Sequence, residues 1–177
     1  MNPPRRTRRG GFCYTYPMRI LAIDPGYERV GIAIIDKSPG DKKEKLVYSD
    51  CFKTSAKLAF VTRLAHIGIE LERLIDEYQP KALAIETLFF STNQKTAMRV
   101  SEARGVSIYI MASRGLPVHE YSPLQIKLAV TGHGKSDKKQ VIMMVPKLIE
   151  IKKDIAHDDE YDAIAIGLTC MASEYRR

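Results

Sequence analysis

Regular patterning of apolar and polar positions begins at Met18. Arg19–Ile23 is a short apolar run that ends on Asp24. Pro25-Gly26 then forces a turn, because proline fixes φ and glycine accepts positive φ. Val30–Ile35 is a second, β-branched run, close enough to the first for an antiparallel hairpin. Lys45–Lys53 offers a third strand beyond the polar loop Lys37–Glu44. A helix is predicted over about Ser55–Tyr78. There Leu64, Ile67, Leu71, Leu74 and Ile75 recur at helical spacing, with Arg63, Glu70, Glu72 and Arg73 outside the stripe, and Pro80 stops it. Ala82–Ile85 is wholly apolar, as the buried middle of a sheet requires, and ends on Glu86. Thr92–Arg114 reads as a second helix, in which Gly105 costs ~1 kcal/mol relative to alanine. Leu116–Tyr121 is a fifth strand and Pro123–Val130 a short helix. Ser136–Glu150 is a helix distorted at Pro146, and Asp158–Ser173 is the last helix. The order predicts an α/β fold: a five-stranded mixed sheet, its first three strands antiparallel, with helices on both faces.

Residues 1–17 differ from the rest. Pro3-Pro4, four arginines and Gly10-Gly11 show no hydrophobic period, which predicts a disordered basic tail ahead of one domain over 18–177. The stretch Phe12–Pro17 is too short and polar for the apolar part of a signal peptide. The 177 residues fit a single domain able to bury a core without staples. No apolar run approaches the ~20 residues of a membrane span. Cys13, Cys51 and Cys170 are too few and scattered for a disulfide framework or zinc knuckle, and isolated thiols suit a reducing cytoplasm. Lys and Arg number 28 against 21 Asp and Glu, a net charge of +7 that points to a polyanionic partner.

Against this basic background, a few acids stand out by position. Asp24 and Glu86 each sit at the C-terminal end of a strand, where open sheets present ligands. Asp159 and Asp162 lie three apart on one helical face. Each has an ordinary alternative: a turn residue, a cap, or acids complementing a positive helix N-terminus for ~0.3–1 kcal/mol each. An acid directly after a buried strand is costly unless a cation pairs with it. Together the four favour a hard divalent cation such as Mg²⁺. Two such ions about 3.5–4 Å apart activate water and stabilise the leaving oxygen of a phosphodiester. Lys127, Lys135, Lys138 and Lys139 flank the segment Thr131–Gly134, where a substrate phosphate would release counterions. A solvated charged face is the alternative for that cluster.

Five blocks in order resemble the RuvC family of Holliday-junction resolvases, within the ribonuclease H-like superfamily. They are Ile23-Asp24-Pro25-Gly26 with Gly31; Ala84-Ile85-Glu86 followed by Phe89-Phe90; Glu102-Ala103-Arg104-Gly105-Val106; Gln125-Ile126-Lys127 leading through Val130–Gly134 to Asp137–Val141; and Asp159–Ile166. The resemblance spans about Met18–Ser173 and implies a homodimeric endonuclease that nicks opposed strands of a four-way DNA junction. Mg²⁺ would be its cofactor, two ions per site, with Mn²⁺ as a substitute. Asp24, Glu86, Asp159 and Asp162 would be both the catalytic and the metal-binding carboxylates, with Asp158 the rival for the third place. Lys127 and Lys138 match positions that contact the junction near the scissile phosphate, and Phe89 an aromatic near the junction centre. The helix Thr92–Arg114 would be the dimer helix. A branch-migration helicase complex of the RuvAB type is the further partner the resemblance suggests.

Three other readings compete. A nuclease of the YqgF type, acting on ribosomal RNA precursor, shares Asp-x-Gly and a stretch like Arg29-Val30-Gly31, but not the Glu86–Phe89 block or the lysine-rich loop. An actin-like nucleotide-binding protein would be larger, with duplicated domains and further phosphate loops. A non-catalytic junction-binding module would not need its acidic positions intact.

Overall fold

The computed structural model describes residues 17–88 and 94–175, together with a two-residue antiparallel ladder of β1 (Arg5–Arg6) with β2 (Phe12–Cys13). The rest of the segment expected to be a tail lies outside the described residues, as do Phe89 and the first two residues of the predicted second helix.

Burial on both faces organises the sheet. Along β3 (Met18–Asp24), Ile20 and Ala22 pack into one apolar cluster, Leu21 and Ile23 into another, and all four are fully buried. β4 (Arg29–Lys37) and β6 (Ala82–Glu86) divide in the same way. Period-two alternation with no polar face is the mark of a sheet covered on both sides. β5 (Glu44–Lys53) lies beyond β4 and β7 (Val118–Tyr121) beyond β6.

The helices supply the covers. On one face lie α1 (Phe60–Tyr78), through Ile67, Leu71, Leu74 and Ile75, and α2 (Gln94–Ser113), through Ala103, Ile110 and Met111. On the other lie α3 (Pro123–Thr131), α4 (Lys138–Leu148) and α5 (Asp158–Glu174). Gly167 lets α5 lie close against the sheet, where a Cβ would stand 2.6 Å from Ile35 and 3.1 Å from Ala22. α1 begins at Phe60 rather than at about Ser55, because the chain is still extended at Ala59, and it closes at Gln79 in a left-handed conformation, with Pro80 next.

The sheet has six strands in the order β7-β6-β3-β4-β5-β8, one more than the five expected. The expected antiparallel run β3-β4-β5 is present, and β6, β7 and β8 join in parallel. The addition is β8 (Ile149–Glu150), which pairs with Glu44 and Lys45. Pro146 weakens the end of α4, and the chain turns extended at Ile149, so the helix expected to reach Glu150 stops at Leu148. Two residues are too short to leave a periodic signature.

One buried carboxylate fixes the start of α5. Glu160 is 2 % exposed. It accepts from Ser49 Oγ at 2.6 Å, Lys153 Nζ at 2.8 Å, Ala156 N at 3.2 Å and His157 N at 3.3 Å. These bonds hold its pKa below the usual carboxylate range despite burial. Removing the carboxylate leaves several donors unmatched. Glu160→Ala is therefore expected to cost about 2–4 kcal/mol, read as a lower denaturation midpoint at unchanged m-value; an unchanged midpoint would show that the network is not holding α5.

Candidate active site

Strand parity assembles the acids. Asp24 follows Ala22 by two and Glu86 follows Ala84 by two, so both carboxylates emerge on the face that α5 covers. β3 and β6 are parallel neighbours paired through Ile23 and Ile85, which sets Asp24 and Glu86 side by side one step further on. Arg104 Nε donates to the Glu86 carbonyl at 3.0 Å and ties that strand end to α2. Across the hairpin, Asp24 pairs with Gly31. A Cβ at Gly31 would stand 2.2 Å from the Asp159 carbonyl and 3.0 Å from Asp24 Cβ, so only glycine lets α5 approach this closely.

Asp24, Glu86 and Asp162 line one open cleft of about 230 Å³, together with Lys127, Lys138, Pro123, Ile126 and Val141. The two lysines come from capped helices. Ser122 and Gln125 form a capping box that starts α3, and Asp137 and Gln140 form one that starts α4. Thr131 Oγ1 meets Ser136 Oγ at 2.7 Å and braces the turn between them. Lys138 Nζ donates to Asp162 Oδ2 at 2.8 Å and lies 3.7 Å from Asp158 Oδ2.

Burial drives Asp24 up to about 8, helped by the charges of Glu86, Asp162 and Asp159. Burial likewise pushes Glu86 up to about 7, with Asp162 adding and Lys127 opposing. Asp162 is raised by burial against the pull of Lys138. Asp159 goes the other way: burial raises it, but its own backbone N–H, Cys51 and Arg29 outweigh that.

Asp159 stands outside the cleft lining, on the β4–β5 side. It forms a salt bridge with Arg29 and accepts from Cys51 Sγ at 3.5 Å, yet its charge still couples to Asp24 and Asp162. Asp158 is far more exposed and turns toward Lys138. Lys135 and Lys139 are exposed and do not line the cleft: Lys135 precedes the α4 cap, and Lys139 is a step of helix away from Lys138. Among the described residues no three His, Cys, Asp or Glu side chains are drawn together tightly enough to hold one ion as they stand. The donor chemistry nonetheless fits a hard divalent cation: carboxylate oxygens only, their mutual repulsion partly relieved, since Arg29 and Lys138 hold two of the four anions. Arg29, Cys51 and the anchoring bond of Arg104 went unassigned from sequence, because nothing local links Arg29 to a partner 130 positions away.

Fold and site together define an α/β protein whose mixed sheet delivers an acidic centre into a cleft flanked by lysines. The family described as Crossover junction endodeoxyribonuclease RuvC matches residues 20–170, and the chain belongs to that family. A RuvC from Alkaliphilus metalliredigens is 45 % identical over 151 residues, 85 % of this chain and 91 % of that protein. One from Thermosipho melanesiensis is 43 % identical over 159 residues, 90 % of this chain and 99 % of its own length. Among solved structures, T. thermophilus RuvC in complex with a Holliday junction substrate superposes with a TM-score of 0.79 at 30 % identity, covering 86 % of this chain and 92 % of that one.

The raised carboxylates make a signed prediction about stability in chelator. A folded-state pKa above the unfolded value favours the protonated fold, so stability falls as pH rises from the ordinary carboxylate value, 3.8 for Asp24, toward about 8. Asp24→Asn removes that ionisation. The variant is expected to melt roughly 3–6 °C above the parent at pH 9, an advantage that shrinks toward pH 4; thermal melts across that range that run in parallel would refute the assignment.

Proposed function

We propose that this chain is a structure-selective endonuclease that resolves Holliday, or four-way, DNA junctions by paired, metal-dependent hydrolysis of phosphodiesters, in recombination and repair within a bacterial cytoplasm. The observation that carries the reading is the single cleft in which Asp24, Glu86 and Asp162 meet Lys127 and Lys138. Acids alone would suit many metal proteins, and lysines alone many surfaces. Their convergence suits a phosphodiester. We assign the fold to the ribonuclease H-like class and the nuclease domain to 18–177, with residues 1–17 outside it.

Asp24, Glu86, Asp159 and Asp162 would hold Mg²⁺, with Mn²⁺ as a substitute and two ions per site. When bound, the cations would supply a water ready for attack and charge stabilisation at the leaving oxygen. The chain's own groups do the remainder. Asp24 and Glu86, raised to about 8 and about 7, would have to release their protons in order to hold the cation. Lys127 and Lys138 offer ammonium groups to phosphate oxygens at the cleft edge, and Lys138 exchanges Asp162 for phosphate as the substrate seats. Lys135 and Lys139 serve the more distant backbone, and Phe89 the junction centre.

Paired incision calls for two centres related by the junction's own near-twofold symmetry, and so for a homodimer. The face that α2 turns to solvent supports this. Met98, Glu102, Gly105 and Tyr109 follow one another along it, and a Cβ at Gly105 would meet nothing within 4 Å. A branch-migration helicase complex is the further partner we assign.

Asp24→Asn is expected to bind a labelled synthetic four-way junction and leave it uncut in Mg²⁺, while the parent nicks it and spares a linear duplex and structured RNA. Full cutting by the variant would remove Asp24 from the chemistry. Lys138→Gln is expected to slow cutting and lower the slope of log affinity against log salt by about 1; a slope equal to the parent's would make Lys138 a surface residue only.

A further inference from the structure

The lysines approach the carboxylates from α3 and α4. A second pair of cations stands on the opposite side, along the same end of the sheet. From β6 to β5 the strands present Glu86, Asp24, Arg29 and Lys53 in that spatial order. Arg29 and Lys53 are direct cross-strand partners in the β4–β5 register. Gly31, Cys51 and Ser49 on these strands all meet α5, so parity sends Arg29 and Lys53 to the α5 face as well. Asp24 pairs with Gly31 and Gly31 with Cys51, so Lys53 stands two strands across and two residues along, about 12 Å from Asp24 at ordinary strand spacing and rise.

Like charges directly opposite each other on a sheet destabilise it. Here the counter-anion is Asp159, which pairs with Arg29. Lys53 Nζ lies 3.0 Å from the ring nitrogen Nε2 of His157, which is not an anion. The positive N-terminal end of α5 adds to the same potential. Once Asp159 turns to a metal ion, as the proposed function requires, Arg29 and Lys53 are left facing each other without an anion between them.

The pair is also rigidly mounted. Arg63, 4 % exposed, donates from Nε to Thr54 Oγ1 at 2.8 Å and from Nη2 to the Tyr27 carbonyl at 3.0 Å. Thr54 Oγ1 donates to the same carbonyl at 2.6 Å, and Thr54 N to the Glu28 carbonyl at 3.0 Å. Glu28 and Thr54 are the chain neighbours of Arg29 and Lys53. A buried arginine thus clamps the two backbone positions from which the exposed cations project. The Arg29 side chain is 49 % exposed, and Lys53 is exposed.

We propose that Arg29 and Lys53 form a second phosphate-binding rim, which grips the backbone of the cleaved strand next to the scissile phosphate, on the side of the carboxylates away from Lys127 and Lys138. The rim rests on the nuclease reading above and deepens it. The strand crosses the acidic centre between two cationic banks, and the phosphate taken by Arg29 replaces the Asp159 carboxylate that the metal claims. A guanidinium suits this exchange, since it forks onto phosphate as readily as onto carboxylate.

The test measures binding of a labelled four-way junction at a fixed Mg²⁺ concentration, on the non-cutting Asp24→Asn background, over a series of salt concentrations. Lys53→Gln is expected to lower the log–log salt slope by about 1, and the Arg29→Gln, Lys53→Gln pair by about 2, with Arg29→Lys largely restoring the first position. A merely structural role would lower the melting temperature and leave the slope alone. Lys53 is exposed and touches none of the four carboxylates, so Lys53→Gln by itself decides the matter if the double variant fails to fold. Junction binding by the parent, with an unchanged slope in Lys53→Gln, overturns the rim and leaves the nuclease reading standing. Failure of the parent to bind or cut junctions overturns the nuclease reading itself.

Discussion

Everything at the functional end of this molecule follows from the difficulty of keeping like charges together at the edge of a hydrophobic core. Asp24 and Glu86 close two strands whose preceding residues are fully buried, and α5 brings Asp159 and Asp162 down upon them. Water is partly excluded and the anions face one another, so Asp24 is forced to about 8 and Glu86 to about 7. Such a group works against the fold that holds it. The two apolar clusters on either side of the sheet offset that cost, and they explain why so small a chain carries a sheet buried on both faces.

The acids also need a mount stiff enough to resist their repulsion. Gly31 supplies contact without a side chain, letting the Asp159 backbone rest against the β3–β4 hairpin. Glu160 supplies an anchor one residue along, tying α5 to β5 and to the segment that leads into the helix. Opposite it, Arg104 holds the end of β6. Gly31, Glu160 and Arg104, none of them one of the four acids, thereby set where α5 and the end of β6 stand.

Much of this was legible in the sequence, because it is local. Apolar runs ending on an acid, a Pro-Gly turn, and Asp-x-x-Asp at helical spacing each announce an element and its chemistry within a few residues. What was not legible depends on distant pairing. Arg29 meets Asp159, and Ser49 meets Glu160, across more than a hundred positions, with no periodic signal to join them. Neighbours in sequence can mislead for the same reason. Lys135, Lys138 and Lys139 form one cluster on paper, but the Asp137 cap leaves the first in the loop, and the turn of α4 carries the last away from the cleft. The two-residue β8 is set by its partner β5 and by the end of α4, so its own composition does not reveal it.

The net charge of +7 takes on a more definite meaning in this light. A polyanion is repelled by a bare acidic centre, and a uniformly basic surface attracts it without choosing where it rests. The arrangement found here solves both problems by position. Lys127 and Lys138 stand at one margin of the acids, Arg29 and Lys53 at the other, and each bank is fixed by capped helices or a buried arginine rather than left on a loose loop. In the free protein the innermost cations, Lys138 and Arg29, are matched to Asp162 and Asp159. On the proposed reading, an approaching phosphate would therefore compete with carboxylates for its partners, and a cation would compete with ammonium and guanidinium groups for its own. Each exchange makes the other easier, because the ion released by one is the ion required by the next. On the proposed reading, cation and nucleic acid would thus be drawn to this site together more strongly than either alone.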